Sequence, residues 1–182
     1  MRVNVGELMT RRAQITPNRE GLVCEDTRRT FRELNERANR CANAMRGLGV
    51  GHGDRVAVLA LNEPEYYDML FGLGKIGAIL VPVNYRLAGP EIEYILSDCE
   101  ARVFVFGAEY ADTVASIRDQ IPAKDYVAIA DAAPDWAVRY ETLIGGASDQ
   151  EPEITGGDDD TLTILYTSGT TGRPKGAQLS HG

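Results

Sequence analysis

A short continuous apolar run at residues 56–61 constrains the fold more than any other feature of the sequence. Such a run is typical of a parallel strand that is covered on both faces. Further short runs of strand character follow at residues 79–83, 103–106, 126–129 and 161–166. Segments of helical periodicity separate them, so the sequence predicts an α/β fold of alternating strand and helix units. We expect a mostly parallel sheet with helices on both faces.

Capping residues and turn residues predict where several elements begin. Asn4 precedes an amphipathic segment, and Thr30 with Glu33 has the spacing of a capping box. A turn at Asp26 indicates a small hairpin before that second helix. Residues 136–144 predict a short helix, and Ser180 is placed to cap a further one.

The segment from residue 147 to 160 is acidic and contains no basic residue. A metal site is one interpretation of its carboxylates, but Pro152 and the Gly156-Gly157 pair favour a solvated connection. We therefore expect an acidic linker ahead of the strand at residues 161–166. Its carboxylates belong to Asp149, Glu151, Glu153, Asp158, Asp159 and Asp160.

The strongest functional signal is a loop rich in glycine and hydroxyl side chains. Residues 166–176 read Tyr-Thr-Ser-Gly-Thr-Thr-Gly-Arg-Pro-Lys-Gly. Backbone N–H groups of such a loop converge on anions, glycines let the backbone approach a ligand, and lysine adds positive charge. The loop also follows a predicted strand, and ligands of open α/β sheets bind at the carboxyl ends of strands. A polyphosphate site is predicted, formed by Thr167, Ser168, Gly169, Thr170, Thr171, Gly172 and Lys175.

The main alternative for this loop is the Walker A motif of P-loop NTPases. That motif requires Gly-Lys-Ser/Thr at its end, whereas Lys175 follows Pro174 here. Pro174 biases Arg173 toward extended backbone, so we expect no helix directly after the loop. Arg173 itself is interpreted as an exposed or structural cation.

At these residues the chain resembles the adenylate-forming superfamily, which includes acyl-CoA synthetases, aryl-CoA ligases, luciferases and amino-acid adenylation domains. Residues 166–176 match the phosphate-binding signature of that family at every position. Three further segments are similar to family motifs: residues 30–34 (Thr-Phe-Arg-Glu-Leu), 53–57 (Gly-Asp-Arg-Val-Ala) and 74–84, which end in Val-Pro-Val-Asn. The resemblance covers nearly the whole chain except residues 131–157.

The resemblance implies an AMP-forming ligase with a two-step reaction. A carboxylate attacks MgATP to give an acyl-adenylate and pyrophosphate, and coenzyme A then takes the acyl group. It implies that residues 167–172 and Lys175 hold the β- and γ-phosphates, that Thr170 contacts Mg²⁺ through the nucleotide, and that His181 lies near the carboxylate substrate. Because the family's adenylation lysine would lie beyond residue 182, we interpret residues 1–182 as an incomplete N-terminal domain without its C-terminal domain. We expect the isolated chain to be inactive.

Residues 81–87 are more similar to fatty or medium-chain acyl-CoA synthetases than to amino-acid adenylation domains. An aryl-CoA ligase or an amino-acid adenylation domain remains an alternative. A non-catalytic truncation that binds phosphate or nucleotide is another, and surfaces exposed by truncation favour self-association.

Composition restricts the partners of the chain. Its net charge of −8 argues against nucleic acid, since phosphate backbones require basic patches. No apolar run reaches the length of a membrane span or forms a secretory signal. Three widely spaced cysteines (Cys24, Cys41 and Cys99) indicate reduced thiols, and we expect a cytoplasmic protein. His52 lies between two glycines and is interpreted as an exposed turn residue.

Overall fold

A computed structural model describes residues 4–167 and 172–182, which form alternating helices and strands. Helices α1–α6 span Val5–Ile15, Phe31–Gly47, Glu65–Lys75, Gly89–Asp98, Ala111–Ile117 and Tyr140–Gly145. Strands β1–β9 span Glu20–Cys24, Thr27–Thr30, Arg55–Leu59, Ile79–Pro82, Val103–Gly107, Asp125–Ile129, Val138–Arg139, Thr161–Thr167 and Lys175–Ser180. Two short 3-10 helices, Ala108–Tyr110 and Arg118–Gln120, flank α5.

Seven strands form one sheet in the order β7-β6-β5-β3-β4-β8-β9. All of its described neighbours pair in parallel except β9, which runs antiparallel to β8. Strands β1 and β2 form a separate hairpin. The prediction of a mostly parallel α/β fold is therefore confirmed, and so is the hairpin.

The central strand β3 shows why helices must cover both faces of the sheet. Val56 and Val58 pack into one core with α2, α3 and α6. Ala57 and Leu59 point the other way, into a second core with α4 and α5. These four side chains are fully buried. The continuous apolar run thus predicted the layer order correctly.

Two of the three predicted helix caps are present. The Asn4 side chain accepts a hydrogen bond from the Glu7 backbone N–H at 3.1 Å, which caps α1. Thr30 Oγ1 accepts from the Glu33 N–H at 3.4 Å, while Glu33 Oε2 accepts from the Thr30 N–H at 2.7 Å. This reciprocal pair is the capping box expected at the start of α2.

The helix predicted for residues 136–144 is wrong in its first half. Val138–Arg139 pairs in parallel with β6 and forms β7, so α6 begins only at Tyr140. Trp136 stacks on Phe106 of β5, with 5.3 Å between the ring centroids. The turn before β7 therefore packs against the sheet and does not form the first turn of a helix. Ser180 ends β9, and its role as the cap of a further helix stays a prediction.

The acidic segment is attached to the protein rather than being a free linker. Side chains on the outer face of α2 donate to its backbone carbonyls. Asn39 Nδ2 bonds the Asp149 carbonyl at 2.9 Å, and Arg46 Nη2 bonds that of Glu153 at 2.8 Å. Arg40 adds an ion pair to the Asp149 carboxylate at 2.9 Å. The sequence pattern could not show this because the partners lie about a hundred residues apart.

Lys75 at the end of α3 fixes the middle of this acidic segment. Its side chain is fully buried, and its Nζ lies 2.8 Å from Glu151 Oε1. The same Nζ donates to the amide oxygens of Asn35 and Asn39 at 2.7 and 2.6 Å. Burial lowers the pKa of Lys75, while the Glu151 carboxylate opposes that shift. A buried cation with three oxygen partners therefore clamps the segment onto α2 and α3.

Glu151→Ala should destabilise the chain by about 2–3 kcal/mol. The change leaves the buried Lys75 ammonium without its counter-ion, and the cost lies below that of a wholly buried pair because Glu151 is partly exposed. Urea denaturation measures the free energy of unfolding. The control is Glu153→Ala in the same segment. Because Glu153 is exposed, this change should alter the free energy of unfolding by no more than about 0.5 kcal/mol. Equal effects of the two changes would contradict the role given to Glu151.

Candidate functional site

The predicted phosphate loop lies at the carboxyl edge of the sheet. β8 ends at Thr167, which pairs with Lys175 at the start of β9. The loop is therefore the connection of an antiparallel pair, and no helix follows it directly, as expected from Pro174. Ser168, Gly169, Thr170 and Thr171 lie outside the described residues. Their assignment stays a prediction.

The described residues of the loop are open to solvent. Thr167, Gly172 and Lys175 are all exposed. Gly172 has φ 142°, a backbone conformation that side chains disfavour, and a Cβ built there would have no atom within 4 Å. This part of the loop is therefore accessible to a ligand, with the Lys175 cation beside it.

A cavity of about 320 Å³ lies beside the loop. Residues that follow the ends of β3 and β4 line it together with the end of β8: Asn62, Tyr66, Asn84, Tyr85, Leu165 and Tyr166, among others. None of these residues was predicted from the sequence to contact the ligand. Asn62 and Asn84 each follow a buried parallel strand, so their position at the carboxyl edge was a signal that could have identified them.

Two of these residues are held in place by local hydrogen bonds. Tyr66, from α3, directs its hydroxyl at the carbonyl oxygens of Val58 and Ala60, at 3.4 Å each. Burial raises the pKa of Tyr66, so it remains a neutral donor. Asn84 Oδ1 accepts from the Arg86 N–H at 3.0 Å and shapes the turn after β4. The cavity wall thus offers polar groups and apolar surface together.

The family model of AMP-binding enzymes matches residues 9–182. The chain belongs to the AMP-binding enzyme family. The resemblance to the adenylate-forming superfamily is confirmed by this match.

Curated relatives of this AMP-binding enzyme chain include several acid–CoA ligases. Long-chain-fatty-acid–CoA ligase FadD13 of Mycobacterium tuberculosis is 39% identical over 182 residues, which cover 98% of this chain and 35% of the relative. Feruloyl-CoA synthase of an Amycolatopsis species is 37% identical, covering 98% of this chain and 33% of the relative. The chain thus spans about a third of the length of the relatives it matches.

Solved structures of AMP-binding enzymes share the fold. The anthranilate CoA ligase AuaEII, in complex with anthranoyl-AMP, superposes with a TM-score of 0.95 at 33% identity over 99% of this chain and 35% of that one. A fatty acyl CoA synthetase of Mycobacterium tuberculosis gives a TM-score of 0.87 at 36% identity, covering 98% of this chain and 34% of that one.

His181 is not brought together with the described loop residues. It follows Ser180, which pairs with Thr161 at the start of β8, so it lies at the amino edge of the sheet. The imidazole is buried, and its Nδ1 accepts a hydrogen bond from the Val5 N–H of α1 at 3.0 Å. Its Nε2 is buried without a hydrogen-bond partner among the described residues. A substrate contact for His181 stays a prediction; its observed contact stabilises the start of α1.

The remaining sequence predictions concern His52, metal binding, membrane spans and the cysteines. His52 is exposed, as expected, and its Nε2 lies 3.3 Å from Asp160 Oδ2. Within residues 4–167 and 172–182, no group of three or more His, Cys, Asp or Glu side chains could hold a metal ion. No helix in the same part of the chain has the length and apolar character needed to cross a bilayer. Cys24, Cys41 and Cys99 are free thiols.

The contribution of His181 to the stability of this AMP-binding enzyme chain should fall as pH drops through the usual pKa of histidine. Burial lowers the pKa of His181 in the folded state, with His52 adding to the effect and Asp160 opposing it. His181 therefore binds a proton more readily in the unfolded chain than in the folded chain, so acidification favours unfolding. Denaturation between about pH 7.5 and pH 5.5 measures the change.

His181→Asn tests that assignment because the amide oxygen still accepts from Val5 N–H but does not titrate. The stability advantage of the wild type over His181→Asn should shrink as pH falls. His52→Asn, which alters the exposed histidine, should retain the loss of stability on acidification. An advantage that is constant across this pH range would contradict the assignment.

Proposed function

We propose that the chain is the first part of the large N-terminal domain of an AMP-forming acid–CoA ligase, with a fatty or medium-chain acid as substrate. The observation that carries the proposal is the glycine- and hydroxyl-rich connection between Thr167 and Lys175 at the carboxyl edge of a parallel sheet. Several relatives that match nearly the whole chain are acid–CoA ligases, which supports the reaction class.

The loop would act on the leaving group of the first step. The carboxylate of the acid attacks the α-phosphorus of ATP, the bond to the β-phosphate bridging oxygen breaks, and pyrophosphate leaves. Negative charge grows on that pyrophosphate, so donors that are already oriented stabilise the transition state without reorganisation. Lys175, exposed at the start of β9, would neutralise part of this charge.

Magnesium would accompany the nucleotide rather than occupy a site made by carboxylates. The described loop residues fit this arrangement, because Thr167 offers a hydroxyl and Lys175 an ammonium, both exposed. Thr170, which lies outside the described residues, is the proposed contact to the metal. When bound, Mg²⁺ would supply charge neutralisation of the phosphates.

The second step would transfer the acyl group to the thiol of coenzyme A, with release of AMP. The sequence of residues 81–87 supports a fatty or medium-chain acid, and FadD13 is named for long-chain fatty acids. An aryl acid is the second candidate, since feruloyl-CoA synthase and an anthranilate CoA ligase match equally large parts of the chain. We also propose a cytoplasmic location and self-association of the isolated chain through β9, whose residues are all exposed.

Lys175→Ala in the full-length protein should slow ATP–pyrophosphate exchange roughly 100-fold, because one positive partner of the leaving group is lost. The folding of the protein should not change, since Lys175 is exposed. The matched control is Lys124→Ala, an exposed lysine before β6 at the opposite edge of the sheet, which should retain full exchange. Fatty, medium-chain, aryl and amino acids are compared as substrates. Equal exchange rates for Lys175→Ala and wild type would defeat the assignment.

The 182-residue chain alone should form no acyl-CoA. The relatives are about three times as long, and the adenylation lysine that the resemblance implies is not among these residues. Thioester formation is followed by mass spectrometry with ATP, Mg²⁺, coenzyme A and a fatty acid. Steady production of acyl-CoA and AMP by the purified chain would overturn this expectation.

A further inference from the structure

We propose that helix α4 holds both arms of the phosphate loop through Asp98 and Tyr94, which are positioning residues for pyrophosphate binding. The inference rests on the proposed function and extends it from the loop to its support. It concerns only the anchors that flank the loop, Tyr166 on the incoming arm and Arg173 on the outgoing arm.

The incoming arm is held by a short hydrogen bond. The Tyr166 hydroxyl donates to Asp98 Oδ2 at 2.6 Å, a distance typical of a bond to a carboxylate. Asp98 is the last residue of α4, where a negative charge opposes the helix dipole. The Asp98 carboxylate therefore does not stabilise α4, and its observed contact is the hydrogen bond that it accepts from Tyr166. Burial and this bond both raise the pKa of Tyr166, which keeps the phenol protonated.

The outgoing arm is held by a cation–π contact. The guanidinium carbon of Arg173 lies 5.1 Å from the centroid of the Tyr94 ring, within the range of attraction. Arg173 and Pro174 line one side of a groove of about 510 Å³, and α4 residues including Tyr94 and Ser97 line the other. Arg173, expected from the sequence to be an exposed or structural cation, is exposed and takes this structural role.

The two anchors share one rigid support. Tyr94 and Asp98 are four residues apart, so they lie on the same face of α4. The opposite side of that helix is fixed in the core by Ile92, Ile95 and Leu96, all nearly or fully buried. The β8–β9 pairing joins the loop ends at Thr167 and Lys175, and α4 adds a rigid support that contacts both arms.

Gly176 makes room for the first anchor. It lies directly opposite Tyr166 in the β8–β9 pair. A Cβ on Gly176 would lie 3.2 Å from Tyr166 Cζ and 2.7 Å from Ile164 Cγ2. The missing side chain lets the phenol ring cross the neighbouring strand toward α4. The glycine after Lys175 therefore belongs to the anchor rather than to the phosphate contacts.

Fixed loop ends favour binding because a site that is already oriented loses less conformational entropy when a ligand binds. Such a site also reorganises less during the reaction. Residues that touch no phosphate then affect how well the loop receives one. This distinguishes the anchors from Lys175, whose charge is proposed to act on the leaving group directly.

The first experiment measures backbone hydrogen exchange of the full-length protein without nucleotide. In Tyr166→Phe, amides of residues 167–176 should exchange about tenfold faster, since a hydrogen bond to a charged acceptor is lost. In Tyr94→Leu the increase should be about threefold, as expected for a cation–π contact at an exposed site. The control is Tyr67→Phe, an exposed tyrosine of α3, which should leave this peptide unchanged. Amides of α2 should not change in any variant.

The second experiment measures ATP–pyrophosphate exchange of the full-length protein. Tyr166→Phe should raise KM for ATP about tenfold with little change in KM for the acid or in melting temperature. Unchanged hydrogen exchange in both anchor variants would overturn the anchoring itself. Faster hydrogen exchange with unchanged KM for ATP would overturn the positioning role. Absence of ATP–pyrophosphate exchange in the wild type would instead refute the proposed function, while the hydrogen-exchange result would still test the anchors.

Discussion

The burial of β3 on both faces is the constraint on which the rest of the structure depends. Its four central side chains alternate between two separate cores, so helices must lie on both sides of the sheet. Covering both faces leaves the strand ends as the places where polar groups can gather. Three neighbouring strands, β3, β4 and β8, end at the same edge, and the candidate site is built there. The location of the site thus follows from how the core is covered.

Local signals in the sequence were sufficient for most elements. The capping box of Thr30 and Glu33 involves residues three apart, and the apolar runs need only their own composition to indicate buried strands. The same local reasoning failed for residues 136–144, because pairing with β6 at the sheet edge decides that Val138 is a strand residue. Only tertiary contact supplies that information.

Long-range polar contacts were not predictable in the same way. Glu151 meets the Lys75 ammonium across 76 positions of sequence, and a single acidic segment without basic residues gave no indication of its partner. For the site, the order of residues 166–176 identified the loop, and the strand–loop–strand arrangement of Thr167 and Lys175 agrees with it. The anchors on α4 were not predicted, since the contact between Tyr166 and Asp98 depends on how α4 packs across β8.

Because a strand follows the loop, the proposed site would attract phosphate differently from a Walker loop. In a Walker loop the N–H groups at the start of a helix supply positive potential. Here β9 follows, and an antiparallel pair has only a small net dipole. Positive potential at the proposed site would therefore come from Lys175, from Arg173 and from backbone N–H groups. Such a site would rely on the accurate position of its arms, and α4 contacts both of them, through Tyr166 and Arg173.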